Sequence, residues 1–123
     1  MSKGRILIIE DEANIVESLD FILRRAGFEV EVATDGAKAL DRVRRERFGA
    51  IILDVMLPGM NGFDVLRAIR ADRALAALPV IVLTAKGQAN DRKMAEAIGA
   101  SAFITKPFSN ADIVDQVRAL VGG

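Results

Sequence analysis

The sequence predicts an α/β fold: an open, doubly wound, five-stranded parallel sheet with helices on both faces. Two observations carry this. Short apolar runs alternate along the chain with helical patterns, and three of them, Ile6 to Ile9, Ile51 to Leu53 and Val80 to Leu83, are unbroken and rich in β-branched residues. Strands covered by helices on both faces have that pattern. Each run also ends on a polar residue: Glu10 and Asp11, Asp54, and Thr84, while a fourth, Phe103 to Thr105, ends on Lys106. The carboxyl ends of parallel strands lie side by side, on the rim where open α/β sheets bind ligands. Three carboxylates, a hydroxyl and an ammonium sharing one pocket suit a divalent metal ion and a phosphoryl group.

The elements follow in order. After the first strand, Ile15, Leu19, Ile22 and Leu23 form a helical stripe that Gly27 ends. Phe28, Val30 and Val32 alternate with Glu29 and Glu31, the period of a strand with one face near water, and so an edge strand. Asp35 stands where an N-cap is wanted before Ala37, Leu40, Val43 and Arg44. Ala50 to Leu53 is a central strand, Asn61 caps the helix of Val65, Leu66 and Ile69, and Val80 to Leu83 is again central. A small loop of Ala85, Lys86 and Gly87 leads to a polar helix from about Gln88 to Ile98, with only Met94, Ala95 and Ile98 as its apolar stripe. Ser109, with Asp112 three residues on, approximates a capping box for the last helix, which carries Ile113, Val114, Val117 and Leu120. Five such βα units with short connections imply right-handed crossovers. There is no internal repeat, low-complexity segment or linker; Gly122 and Gly123 suit either the start of a linker or a natural end.

At 123 residues the chain reads as one domain, 1–123. Seventeen basic residues balance 17 acidic ones, so bulk electrostatics favour neither nucleic acid nor an anionic membrane. The absence of cysteine and histidine removes disulfides, thiolate sites and the commonest general base, leaving carboxylates to supply any metal site. No signal-peptide core follows Lys3 and Arg5, and no run approaches the ~20 apolar residues that span a bilayer. The expectation is a soluble, cytoplasmic protein.

The segments ILIIEDE, DVMLPGMNGFD, VIVLTA and ITKPF, in that order and at domain-filling spacing, resemble the receiver domain of bacterial two-component response regulators, and the likeness covers essentially the whole chain. It implies a flavodoxin-like sheet of order 2-1-3-4-5 and a partner, a sensor histidine kinase or histidine phosphotransfer protein, that passes a phosphoryl group to an aspartate. Asp54 matches the phosphoacceptor, since a strand-end carboxylate can attack phosphorus and form an acyl phosphate. Glu10 and Asp11 match the acidic pair that, with Asp54 and the backbone carbonyl of Met56, holds Mg2+ or Mn2+. Lys106 matches the family's lysine, and the resemblance implies a cis bond between Lys106 and Pro107. Thr84 matches the switch hydroxyl and Phe103 the switch aromatic. The implied mechanism has two states: phosphate on Asp54 draws Thr84 in, Phe103 rotates, and the face of the fourth helix, fifth strand and fifth helix changes for a protein output partner. Such a domain catalyses its own phosphotransfer and dephosphorylation without being a metabolic enzyme. Met56 and Lys86 occupy the positions that flank the site and govern water attack.

Ser101, Ala102 and Gln116 depart from the residues that winged-helix relatives use for dimer salt bridges. The expected form is therefore a stand-alone receiver, favoured over one excised from a larger regulator, monomeric or dimerising on phosphorylation, that binds protein and contacts neither nucleic acid nor membrane itself. The alternative is a phosphorylation-independent pseudo-receiver, though such modules lose the metal acids, acceptor or lysine. An FMN binder is disfavoured because Glu10, Asp11 and Glu12 repel an anion. A haloacid-dehalogenase-type phosphatase is disfavoured because Met56 stands where it needs a second Asp.

Overall fold

The computed structural model describes residues 4–85 and 89–121. Five strands, β1 (Arg5–Ile9), β2 (Glu29–Ala33), β3 (Ala50–Asp54), β4 (Val80–Ala85) and β5 (Ala102–Lys106), alternate with five helices, α1 (Ala13–Arg25), α2 (Gly36–Arg45), α3 (Gly62–Ala71), α4 (Ala89–Ile98) and α5 (Asn110–Leu120). All neighbouring strands pair in parallel, in the order β2-β1-β3-β4-β5. The flavodoxin-like fold is thus the one observed.

Strand side chains alternate between faces, and the core divides accordingly. Leu7, Ile9, Ile51, Leu53, Val80 and Val82 pack beneath Leu40 and Val43 of α2, Val65, Leu66 and Ile69 of α3, and Ala95 of α4. Ile6, Ile8, Ile52, Ile81 and Leu83 face α1 and α5 through Leu19, Leu23, Ile113 and Val117. Because helices cover both faces, β3 and β4 are apolar from their first residue to the rim, and β1 is apolar from Ile6 to Ile9 after Arg5. β2 is an edge, and its Glu29 is exposed while Val30 is buried.

Asp35, Asn61 and Ser109 each accept a hydrogen bond from the backbone amide three residues on, at 3.0, 3.1 and 3.1 Å, which satisfies a free donor of the first turn. Three positions depart from expectation: Ala37 and Arg44 are exposed, α2 instead burying Gly36, Ala39, Leu40 and Val43, and Met94 of the α4 stripe is exposed too. Gln88, the expected start of the polar helix, lies with Lys86 and Gly87 outside the described residues, as do Gly122 and Gly123. α4 buries only Ala95 fully, so it is the helix held least by the core.

Candidate functional site

The ends of β1, β3 and β5 bring the acidic and basic residues together. Asp54 closes β3 and is 2% exposed; Glu10, directly after β1, is fully buried, and its backbone amide donates to the Ala33 carbonyl at 3.1 Å. Asp11 beside it is exposed. Lys106 ends β5, two strands away from β3, yet its long side chain spans the rim. Its Nζ lies 3.2 Å from Asp54 Oδ1 and 3.1 Å from Glu10 Oε1. The Lys106–Pro107 peptide is cis.

Burial first, then the neighbouring Asp54 carboxylate, pushes Glu10 up to about 8, despite the opposing ammonium. Burial alone would lower Lys106; the Asp54 and Glu10 carboxylates outweigh it and hold the ammonium above its ordinary value. One ammonium therefore bridges two buried carboxyl groups, with the exposed Asp11 next to them in sequence.

Glu10, Asp11 and Asp54 each offer a carboxylate oxygen within 4.8 Å of the others. Glu10 Oε2 is buried and accepts no hydrogen bond. An orphaned buried carboxylate oxygen costs free energy unless something cationic meets it. The all-oxygen donor set fits a hard divalent cation such as magnesium, which uses a few carboxylates and keeps several waters. Met56, two residues beyond Asp54, is 78% exposed.

Thr84, buried at the end of β4, donates its hydroxyl to Asp91 Oδ2 of α4 at 2.9 Å. Phe103 is half-buried against the core beneath α2, α3 and α4, with the Arg92 guanidinium 5.6 Å from its ring centroid. Lys86 lies outside the described residues.

Two residues at this rim were not singled out from sequence. Asp91 is one, because an acid in the first turn of a helix is ordinary and only tertiary packing puts it against Thr84. Gly62 is the other. A Cβ there would strike the Asp54 carbonyl oxygen and come within 2.7 Å of Val55 Cα, so α3 can start against the backbone at the end of β3 only without a side chain. Its signal is the Asn-Gly pair that opens α3.

Residues 6–118 match the family model of the response regulator receiver domain. This chain belongs to that family. Among curated relatives of the receiver domain, the DNA-binding response regulator MtrA of Mycobacterium tuberculosis is 44% identical over 117 residues, 95% of this chain and 50% of MtrA. The receiver domain spans about half the length of the curated relatives it matches. A solved structure from Chloroflexus aurantiacus superposes with a TM-score of 0.94 at 31% identity, covering 98% of each chain. The receiver domain of the sensor histidine kinase PA1611 from Pseudomonas aeruginosa, solved with magnesium coordinated in its active site cleft, superposes at 0.90 with 30% identity, again over 98% of each chain.

Proposed function

We propose that this receiver domain accepts a phosphoryl group on Asp54 from the phosphohistidine of a sensor kinase or histidine phosphotransfer protein, in a reaction that requires Mg2+ or Mn2+. The observation that carries the reading is Lys106 bridging Glu10 and Asp54 in a pocket where one buried carboxylate oxygen has no partner. An Asp54 oxygen attacks phosphorus as the phosphorus–nitrogen bond of the donor breaks, leaving the histidine free and an acyl phosphate on Asp54. Lys106, already 3.2 Å from Asp54, pairs with the phosphoryl oxygens that arrive. Glu10, Asp11, Asp54 and the Met56 carbonyl would hold the divalent ion, which supplies charge neutralisation to the transferring group.

Thr84 then donates to a phosphoryl oxygen, Phe103 changes position, and the surface of α4, β5 and α5 is read by a protein partner. The Ser101 hydroxyl supports this output over the salt-bridged dimer of winged-helix relatives: it accepts from Val80 N at 3.0 Å and Arg70 at 3.2 Å, an internal role where that dimer uses an acid.

The test is incubation with phosphoramidate and magnesium, followed by intact-protein mass. A single added phosphoryl group on the native chain, absent from Asp54→Asn, is the expected result, and Asp11→Asn should need markedly more magnesium for the same labelling. Stoichiometric labelling of Asp54→Asn would overturn the assignment.

A further inference from the structure

Thr84 has one hydroxyl proton, and the structure commits it to Asp91. The bond, Oγ1 to Oδ2 at 2.9 Å, joins the buried end of β4 to the first turn of α4. A hydroxyl donates one hydrogen bond at a time. While Asp91 holds that proton, Thr84 cannot donate to a group on Asp54. The next residue of α4, Arg92, sits over the Phe103 ring and is paired with Glu96 at 3.0 Å. One turn of one helix thus touches both residues on which signalling is proposed to depend, and that helix buries only Ala95 fully.

We propose that Asp91 is a positioning residue that latches Thr84 in the unphosphorylated state, so that a phosphoryl group on Asp54 must win the hydroxyl from it and thereby frees the start of α4. The inference rests on Thr84 donating to a phosphoryl group on Asp54, as proposed above. The latch sets the threshold of the switch: a ligand shifts a two-state equilibrium only by its differential affinity, and the bond to Asp91 subtracts from that difference. Breaking the latch also loosens the helical turn that carries Arg92 over Phe103, which gives the change at Asp54 a route to the outer surface.

The experiment is a titration of the magnesium-loaded protein with beryllofluoride, a mimic of the aspartyl phosphoryl group, followed through backbone amide shifts. The chain has no tryptophan for a fluorescence readout. Asp91→Ala removes the acceptor while placing the best helix former in a half-buried helix position, so the fold is retained. It should lower the half-saturating beryllofluoride concentration about tenfold, the scale of a hydrogen bond to a charged acceptor. The same substitution on a Thr84→Ala background should change it less than twofold, which a merely structural role for Asp91 would not produce. Equal affinity in the native chain and Asp91→Ala, with Asp54→Asn blind to the ligand, overturns the latch and leaves the phosphoacceptor reading intact. An equal gain on both backgrounds also overturns the latch. Binding to Asp54→Asn as tight as to the native chain fails the phosphoacceptor reading itself, and the latch with it.

Discussion

Among the described residues, Lys106 is the one ammonium that meets two buried carboxyl groups, Glu10 and Asp54, and its side chain is only 18% exposed. Removing one partner of a buried charge cluster is costly because the charges left behind remain desolvated. Lys106→Met should therefore destabilise the metal-free domain by about 3 kcal/mol in urea denaturation, with magnesium restoring part of the loss; an unchanged midpoint would show that the carboxylates do not depend on the lysine. Met56 makes the opposite kind of contribution. Its side chain is 78% exposed and has no group with which to orient water for attack on an acyl phosphate. Met56→Asn should hasten loss of the phosphoryl group several-fold, measured as the decay of the labelled species after the phosphodonor is removed. An equal decay rate in the variant would count against this.

At the scale of elements, the loops opposite the site are tied by arginines. Arg70, near the end of α3, donates to the carbonyls of Leu78 at 2.7 Å and Gly99 at 2.8 Å, to that of Ala76 at 3.3 Å and to Ser101 Oγ at 3.2 Å. It thereby joins the approach to β4 and the turn before β5, and burial lowers its pKa. A lysine carries its donors on one atom and cannot span these acceptors. Arg70→Lys should cost about 1–3 kcal/mol in denaturant unfolding, and a neutral outcome would mean that water replaces the lost bonds. Glu46, after α2, accepts from Arg42 at 2.8 Å and Arg5 at 2.9 Å, which hold its carboxyl down at about 2. A carboxyl lowered on folding stabilises above its ordinary value of 4.5, and that contribution disappears as pH falls through about 2. Glu46→Gln should accordingly lower the urea midpoint at pH 7, with the gap to the native chain closing between pH 4.5 and 2. A gap independent of pH would exclude the ionised carboxyl as its cause.

For the whole molecule, one sheet with a core on each face should unfold as a unit, because neither face can be exposed without the strands that carry the other. Leu66→Ala on the buried side of α3 and Ile81→Ala facing α1 and α5, both in fully buried positions, should each cost about 2–5 kcal/mol. Each variant should keep a single transition of unchanged steepness in urea. Two separate transitions in either variant would show that the faces fold independently. No helix among the described residues is long and apolar enough to cross a membrane.

The chain's apolar runs, caps and rim residues determined the α/β class, the parallel strands and the proximity of Glu10, Asp11, Asp54 and Lys106, because strands covered on both faces must be apolar until they end. Strand order came with the family likeness. Ala37 against Ala39 was not legible, since alanine fits either side of a helix and only the neighbouring packing selects. Tertiary structure alone decided what each rim group holds: Lys106 between two carboxylates, Glu10 Oε2 unpartnered, Gly62 against the Asp54 backbone, and the Thr84 hydroxyl on Asp91. Those are contacts between elements far apart or differently oriented in the chain. Periodicity records which side of an element is buried, and it does not record which polar atom meets which once the elements pack.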